Sequence, residues 1–203
     1  MRKIKIAVLC SGGGTNLGAL IGAEREGIIE SGKIELVIAN KPTAYALTRA
    51  EAAGIPTLVI ENKKFSKKED FEAALIAALD EREIDLIVLA GFMVILTEGF
   101  TSHYPDRIIN IHPSLIPSFS GEGFYGLRVH EAALKYGVKV SGATVHFVNE
   151  IPDGGRIIMQ RAVEVREDDT PETLQQRIME EAEWKILPLA TEDVAKKMLR
   201  GKD

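Results

Sequence analysis

The stretch KIKIAVLCSGGGTNL, residues 3–17, decides the fold class. It joins a nearly continuous apolar run to three glycines and then to residues that can begin a helix. Such a run is typical of a strand buried on both faces, as in a parallel sheet covered by helices. A glycine turn between a buried strand and a helix can approach a ligand closely at the carboxyl end of the strand.

The same alternation continues along the chain. Segments of strand and helix character follow one another at 16–29 (helix), 33–40 (strand), 45–53 (helix), 56–61 (strand), 67–82 (helix) and 85–91 (strand). This order predicts a doubly wound, Rossmann-like α/β fold with a mostly parallel central sheet and helices on both faces.

The second half of the chain is less regular. It has strand-like runs at 108–112, 140–148 and 156–165, and helix-like runs at 129–136 and 170–200. The last two strands are separated by NEIPDGG, which predicts an antiparallel hairpin added to the sheet. Pro188 marks a candidate break in the terminal helix.

Composition excludes several classes of protein. The chain has 203 residues, a net charge of −5 and 45% hydrophobic residues, which suits a packed core and gives no basic face for nucleic acid. The basic run at 63–68 leads into acidic residues and is typical of a solvated helix entry. Its one cysteine, Cys10, excludes an internal disulfide and is expected to be a buried filler. Without a signal peptide or an apolar run long enough for a membrane, the sequence predicts a cytoplasmic protein.

The glycine turn predicts a phosphate cradle, because backbone N–H groups and a helix N-terminus attract anions. A dinucleotide fingerprint would need glycine at Leu17 and an acidic residue at Asn40, and a P-loop would need a lysine after Gly14. A phosphate monoester therefore fits better. The alternative is a tight turn in which Thr15 or Asn16 caps the helix.

The segment NIHPSLIP, residues 110–117, predicts a polar site. Residues two apart on a strand share a face, so Asn110 and His112 point together at the strand's carboxyl end, and Pro113 and Pro117 lead the chain away. An amide N–H and an imidazolium suit a developing oxyanion. The alternative is a structural hydrogen-bonding role.

Asp153 belongs to PDGG, which by default is a hairpin turn. Placed beside an imidazole, its carboxylate would raise the pKa of that ring and keep it cationic. His146 is either a core residue or a partner of the site, His130 caps a helix or lines the cleft, and His103 is expected at the surface. Because no metal-ligand spacing and no nucleophile motif occurs, we expect non-covalent chemistry without a metal.

Five motifs together carry a family resemblance. They are SGGGTNL, DLIVLAGFMVIL, NIHPSLIPSF, GATVHFV and PDGG. In this order and spacing, over about residues 5–190, the chain resembles the phosphoribosylglycinamide formyltransferases. The resemblance implies the formyltransferase fold as one domain over 1–203, with a nucleotide-binding half of about 1–100 and a catalytic, folate-binding half of about 101–203.

The resemblance also implies a reaction. A formyl group would pass from 10-formyltetrahydrofolate, a cosubstrate, to the amine of glycinamide ribonucleotide in purine biosynthesis. Asn110, His112 and Asp153 match the family's catalytic residues. The first two would stabilise the oxyanion of a tetrahedral intermediate, while Asp153 keeps His112 charged and helps to move a proton through water.

Binding residues carry over by position as well. The ribonucleotide would contact Gly13, Gly14, Thr15, Asn16, Lys68, Met93, Pro113 and Glu183. The folate would contact Phe92, Val94, Ile95, Leu96, Val148, Asn149, Glu150 and Ile151, largely through their backbone groups. The resemblance also implies that His146, Ser141 and Thr144 support the residues that contact the substrates.

The chain departs from the family pattern in places. Val94 replaces a common arginine, Trp184 replaces a common histidine, and the loop 120–128 is longer than in some relatives. A cis bond is expected between Ile116 and Pro117. The alternatives are a formyltetrahydrofolate deformylase and a non-catalytic folate or nucleotide binder. We expect small-molecule substrates and a monomer or homodimer.

Overall fold

The computed structural model of the chain describes residues 2–201. Its strands are β1 (Ile4–Cys10), β2 (Gly32–Ala39), β3 (Thr57–Val59), β4 (Leu86–Leu89), β5 (Ile108–His112), β6 (Val140–Phe147) and β7 (Ile157–Glu164). Its helices are α1 (Thr15–Arg25), α2 (Tyr45–Ala52), α3 (Lys68–Glu81), α4 (Glu98–His103), α5 (Leu127–Tyr136), α6 (Pro171–Ile178) and α7 (Trp184–Arg200). A 3₁₀ turn at Asn62–Lys64 precedes α3, and a π-helical turn at Met179–Glu183 joins α6 to α7.

The strands form one sheet in the order β3-β2-β1-β4-β5-β6-β7. The first five run parallel, whereas β6 is antiparallel to β5 and β7 is antiparallel to β6. The chain moves outward from β1 to β3 and then returns to β4 on the other side of β1. This reversal makes the carboxyl ends of β1 and β4 the switch point at which open α/β sheets bind ligands.

The side chains of alternate residues in β1 are buried on opposite faces of the sheet. Ile6 and Val8 join a cluster with residues of α1 and α7, while Ala7 and Leu9 join a second cluster with residues of α3 and α4. All four side chains are fully buried. Cys10 is buried too, and burial raises the pKa of its thiol to about 12, which confirms its role as a filler.

Two features of the fold differ from expectation. Helix α4 was not predicted, because its N-terminal hydrogen bond comes from another helix and leaves no local signal. The N–H of Thr97, the N-cap residue of α4, donates to the carboxylate of Glu72 in α3 at 2.7 Å. The predicted break at Pro188 is wrong. Pro188 lies inside α7, where the flanking turns pack against the core, and the helix is interrupted at the π-turn instead.

A buried ion pair fixes the start of α6. Asp169 and Arg177 form it with side chains 1% and 12% exposed, and Asp169 also accepts hydrogen bonds from Arg166 N–H (2.7 Å) and Thr173 Oγ1 (3.0 Å). These partners, led by Arg177, lower the pKa of Asp169 to about 2. A carboxylate with so many donors holds the turn between β7 and α6 in one conformation.

We expect Asp169→Asn to lower the free energy of unfolding by about 3 kcal/mol, because it leaves a buried guanidinium without its counter-charge. Urea denaturation at pH 7 measures this loss. The matched control is Asp168→Asn at the exposed neighbouring position, which should change stability by less than about 0.5 kcal/mol. Equal effects of the two substitutions would contradict the assignment.

Candidate active site

Two loops meet at the switch point of the sheet. After β1, the Ser11 N–H donates to the Gly91 carbonyl at 3.1 Å, and the Ser11 hydroxyl accepts from the Met93 N–H at 2.8 Å. These bonds tie the glycine turn that follows β1 to the apolar segment that follows β4. The predicted phosphate and folate segments are therefore neighbours.

The glycine turn is built for close backbone approach. Gly14 has φ +68°, and a Cβ on it would lie 2.7 Å from the Cβ of Ala46 in α2. Gly14 itself is the N-cap of α1, with no side-chain capping bond. The alternative in which Thr15 or Asn16 caps the helix is therefore wrong. Thr15 is exposed and its hydroxyl lies 3.8 Å from the sulfur of Met179, while the side chain of Asn16 is buried.

The Asn16 side chain bonds across the chain to Glu183. Its Nδ2 donates to Glu183 Oε2 at 2.6 Å, and Glu183 is 6% exposed. Burial raises the pKa of Glu183, and the bond from Asn16 opposes that shift. A solvated helix face, the reading that the residues alone favour for Glu183, is thus wrong. The π-turn that contains Glu183 places the carboxylate beside the glycine turn.

Asn110, His112, His146 and Asp153 form one connected polar cluster. Asn110 Nδ2 lies 3.1 Å from His146 Nε2, which is 3.5 Å from Asp153 Oδ1; Asp153 Oδ2 is 3.3 Å from His112 Nδ1. The register explains the pairing, because Asn110 lies opposite His146 on the neighbouring strand β6. The structure therefore brings the three predicted catalytic residues together and places His146 among them.

His146 orients the Asn110 amide. Its Nδ1 lies 2.8 Å from the Phe147 carbonyl, an acceptor, so this nitrogen carries the proton and Nε2 can accept from Asn110. One of the two N–H groups on Asn110 Nδ2 is then bound, and the other remains for a ligand. His146 is buried, as expected for a partner of the site.

The pKa of His112 lies below its usual value. Burial lowers it most, although the Asp153 charge and the Phe119 carbonyl both raise it. Asp153 thus acts on this pKa in the predicted direction, but His112 is only 4% exposed and desolvation of the ring outweighs the carboxylate.

Both ring nitrogens of His112 nevertheless face acceptors. Nε2 lies 2.9 Å from the Phe119 carbonyl, and Nδ1 faces Asp153. A neutral imidazole can donate to only one of them, whereas an imidazolium donates to both. The two acceptors thus favour the protonated His112 ring, whereas burial disfavours it in the free protein.

Asp153 joins the hairpin turn to the long loop. It has φ +57°, so it occupies the turn conformation that PDGG indicated, and its Oδ2 accepts from the Gly121 N–H at 2.8 Å. Burial raises its pKa, but the neighbouring His146 ring, the His112 charge and the hydrogen bond from the Gly121 N–H together lower it further, and the net shift is downward. Asp153 is therefore an anion at neutral pH.

Thr144 supports the segment after His112. Its hydroxyl donates to the Ser114 carbonyl at 2.7 Å and accepts from the Ile116 N–H at 3.1 Å. The Ile116–Pro117 bond is cis, as expected. Ser141 lies further along β6, and its buried hydroxyl has no hydrogen-bond partner within residues 2–201.

Apolar side chains flank the cluster on two loops. Met93, Ile95 and Ile151 are 51%, 55% and 57% exposed. Phe92, Val94 and Val148 are partly buried against the hydrophobic cluster that contains residues of α3 and α4, and Leu96 lies inside that cluster. Pro113 and Asn149 are half-buried, Glu150 is exposed, and Lys68 is exposed at the start of α3.

His130 is fully buried near His112. Both of its ring nitrogens lack a hydrogen-bond partner in the described part of the chain, so it neither caps α5 nor opens onto the cleft. Burial first, and then the charge of His112, lower its pKa to about 4. His103, in contrast, is exposed and pairs with Asp80, as predicted for a surface residue.

We expect His130 to make the protein acid-sensitive. Between pH 6.5 and about 4 the unfolded chain binds a proton at this residue that the folded protein does not, so stability falls as pH falls through this window. The full loss is about 3 kcal/mol. His130→Leu should reduce that slope in urea unfolding curves measured at pH 4 to 7, and the lowered pKa of His112 accounts for part of the slope that remains. His103→Leu, at the exposed histidine, should leave it; an unchanged slope in His130→Leu would contradict the assignment.

Sequence reasoning missed several contributors to the site. The Phe119 carbonyl and the Gly121 N–H belong to the long loop, and backbone groups leave no signal in side-chain patterns. Ser11 bridges the two loops through its hydroxyl. Arg49 in α2 contacts the glycine turn, and a single arginine on a helix has no pattern that would single it out.

Fold and cluster together define a class: a Rossmann-like α/β protein with a partly buried Asn–His–Asp site at the carboxyl edge of its sheet. The profile of the family described as "Formyl transferase" matches residues 4–191. The chain belongs to this formyl transferase family, which confirms the predicted family and fold.

Relatives agree with this assignment. The phosphoribosylglycinamide formyltransferase of Haemophilus influenzae is 43% identical over 199 residues, which are 98% of this chain and 91% of that protein. The crystal structure of glycinamide ribonucleotide transformylase 1 from Symbiobacterium toebii matches with a TM-score of 0.90 at 42% identity, over 96% of this chain and 89% of that one.

Longer relatives also contain a matching region. The human trifunctional purine biosynthetic protein adenosine-3 is 46% identical over 194 residues, which are 96% of this chain but 18% of that protein. The chain thus spans about a fifth of the length of such relatives. Within residues 2–201, no helix has the length and apolarity to cross a membrane.

Proposed function

We propose that the protein transfers a formyl group from 10-formyltetrahydrofolate to the amine of glycinamide ribonucleotide, a step of purine biosynthesis. The observation that carries the proposal is the Asn110–His146–Asp153–His112 cluster at the carboxyl end of β5. It offers an oxyanion donor, an imidazole and a carboxylate, and no serine, threonine or cysteine belongs to it. Direct attack of the substrate amine on the formyl carbon fits this set of groups.

Asn110 supplies the fixed donor. As the amine attacks, the formyl oxygen becomes an oxyanion, and the free Asn110 N–H can donate to it while His146 holds the amide in place. A donor positioned before the reaction stabilises the developing charge without reorganisation, an effect worth about 3 kcal/mol in comparable sites.

His112 supplies charge when it is needed. Burial disfavours the charged ring in the resting site, and a developing oxyanion raises the pKa of the ring as the intermediate forms. The ring takes up a proton from solvent water at that stage and returns it to water when the oxyanion collapses to the carbonyl, so the imidazolium stands beside the oxyanion only in the intermediate. That imidazolium donates to both the Phe119 carbonyl and Asp153, which a neutral ring cannot do. The site is thus more complementary to the charged intermediate than to the resting state.

Asp153 then serves the proton transfer. The amine that attacks becomes an ammonium when its bond to carbon forms, and it must lose a proton. Asp153, through a water, takes this proton and delivers it to the folate nitrogen, whose bond to the formyl carbon breaks. The carboxylate is an anion and 14% exposed, so water can reach it.

The ribonucleotide fits the glycine turn and the π-turn. The N–H groups of Gly13, Gly14 and Thr15 suit its phosphate monoester, and Lys68 adds a cation at the same edge of the sheet. Glu183 can accept from both hydroxyls of a ribose diol. The Asn16 side chain is placed to hold Glu183, so Asn16 contributes to the phosphate site through its backbone N–H. Met93 and Pro113 flank the path from phosphate to amine.

The folate fits the apolar loops. Met93, Ile95 and Ile151 leave apolar surface open in the free protein, and a flat pterin would cover it. Phe92, Val94, Leu96 and Val148 share one core cluster, so the two loops have a common apolar base. Asn149 and Glu150 contribute their backbone groups. The reaction needs no metal, and the protein acts on small molecules in the cytoplasm as a monomer or homodimer.

One assay tests the function. The ultraviolet absorbance change that follows loss of the formyl group from 10-formyltetrahydrofolate is recorded with and without glycinamide ribonucleotide. Loss that requires the ribonucleotide, in equal amounts, is the expected result. Loss without the ribonucleotide would mean a deformylase, and no loss in either case would refute both enzyme assignments.

A further inference from the structure

Helix α2 holds two successive carbonyls of the glycine turn. The Ala46 N–H, in the first turn of α2, donates to the Gly12 carbonyl at 3.1 Å. Nε of Arg49, one turn further along, donates to the Gly13 carbonyl at 2.9 Å. Both carbonyls therefore point toward α2.

This anchoring fixes where the N–H groups of the turn point. In a planar trans peptide the C=O and the N–H lie on opposite sides. The N–H of Gly13 shares its peptide with the Gly12 carbonyl, and the N–H of Gly14 shares its peptide with the Gly13 carbonyl. Both N–H groups are thus directed away from α2, and neither has an acceptor in the described part of the chain.

The Arg49 guanidinium also brings a charge that the protein does not neutralise. No carboxylate lies within ion-pair distance of it among residues 2–201. The ring of Tyr45 stacks on it at 5.1 Å from its central carbon, which fixes the plane of the guanidinium. An unpaired cation behind a set of aimed N–H groups raises the potential for an anion in front of them.

We propose that Arg49 is a positioning residue for the phosphate of the ribonucleotide. It holds the Gly13 carbonyl, aims the Gly14 N–H at the phosphate and adds positive potential, without itself entering the reaction. The inference rests on the proposed function, because it takes the glycine turn as the phosphate site.

The test compares Arg49→Met with Arg25→Met. Methionine keeps the helix propensity and most of the side chain at position 49 but removes all donors and the charge. Arg25 is exposed at the end of α1, the helix that follows the turn, so it controls for the loss of one positive charge. Three quantities are measured: the Kd for glycinamide ribonucleotide, the inhibition constant of inorganic phosphate, and kcat with KM for the folate.

We expect Arg49→Met to weaken the binding of the ribonucleotide and of inorganic phosphate about tenfold each, equivalent to about 1.4 kcal/mol of binding free energy. The kcat should fall less than about threefold and the folate KM should stay unchanged, because the reacting groups and the folate slot are untouched. Arg25→Met should match the parent protein. Arg49→Lys keeps the charge without the planar Nε donor, and it should fall between the parent and Arg49→Met; it also serves if Arg49→Met does not fold.

Two outcomes separate the two proposals. If the parent protein binds neither the ribonucleotide nor phosphate, the proposed function fails. If the parent binds both and the Arg49 variants bind them equally well, the function stands and the role of Arg49 is overturned. A fall in kcat with unchanged phosphate inhibition would also overturn it, because a general structural disturbance would then explain the loss.

Discussion

His112→Ala is expected to lower kcat about 10³-fold while leaving the Kd for glycinamide ribonucleotide within about threefold of the parent value. In the proposed mechanism the substitution removes the imidazolium that forms beside the oxyanion, and the residues proposed to bind the phosphate and the ribose lie elsewhere in the chain. Steady-state kinetics and isothermal titration calorimetry with the ribonucleotide measure the two quantities. A loss of turnover without a loss of binding is the signature of an interaction made in the transition state.

His103→Ala is the matched control. His103 is the same residue type, lies at the end of α4, and pairs with the exposed Asp80 and the neighbouring Tyr104 ring. It should retain the parent kcat. If His112→Ala kept most of its activity, the oxyanion would have to be stabilised by Asn110 alone. If turnover were absent from the parent as well, a binding function would replace catalysis.

Asp153→Asn should lower kcat about 10²-fold and also lower the pKa of His112 below its value in the parent protein. The carboxylate raises that pKa against the effect of burial, so its removal leaves burial with less opposition. An amide oxygen can still accept from the Gly121 N–H, and asparagine tolerates the φ of +57° at this position. Nuclear magnetic resonance of the His112 ring across pH 4 to 8 follows the pKa, and steady-state kinetics follow kcat.

Asp106→Asn gives the comparison. Asp106 has φ +54° and lies 3.7 Å from Arg156 on the surface, so the substitution repeats the same chemical change in the same backbone conformation. Neither kcat nor the His112 pKa should move. A His112 pKa that rose in Asp153→Asn would show that the carboxylate does not favour the cation.

The parallel part of the fold was predictable because its signals are local. Buried strands read as apolar runs, as in β1, and glycines mark the turn at its end. Boundaries shifted by a few residues, and α4 was missed because its N-cap residue, Thr97, is held by the carboxylate of Glu72 from another helix. The break predicted at Pro188 does not occur, because the packing of α7 compensates for the hydrogen bond that proline cannot donate.

The side chains of the candidate site were predictable, but their electrostatics and their backbone contacts were not. Asn110, His112 and Asp153 came from strand periodicity, a turn motif and resemblance, and the structure brings them together. Their electrostatics could not be predicted, because the pKa of His112 depends on burial that only the folded chain defines. Contacts made by carbonyl and N–H groups of the long loop, such as those of Phe119 and Gly121, depend on backbone geometry and leave no mark in the residue pattern.

The bond between Asn16 and Glu183 has a consequence for biosynthesis of the protein. It joins residues that are 167 positions apart, and it spans α1 and the turn before the last helix. During synthesis, β1, the glycine turn and α2 leave the ribosome well before the carboxylate that packs beside them. Until the π-turn docks, the glycine turn lacks its contact with Glu183, so a ligand that needs both groups can favour the native state only after that docking.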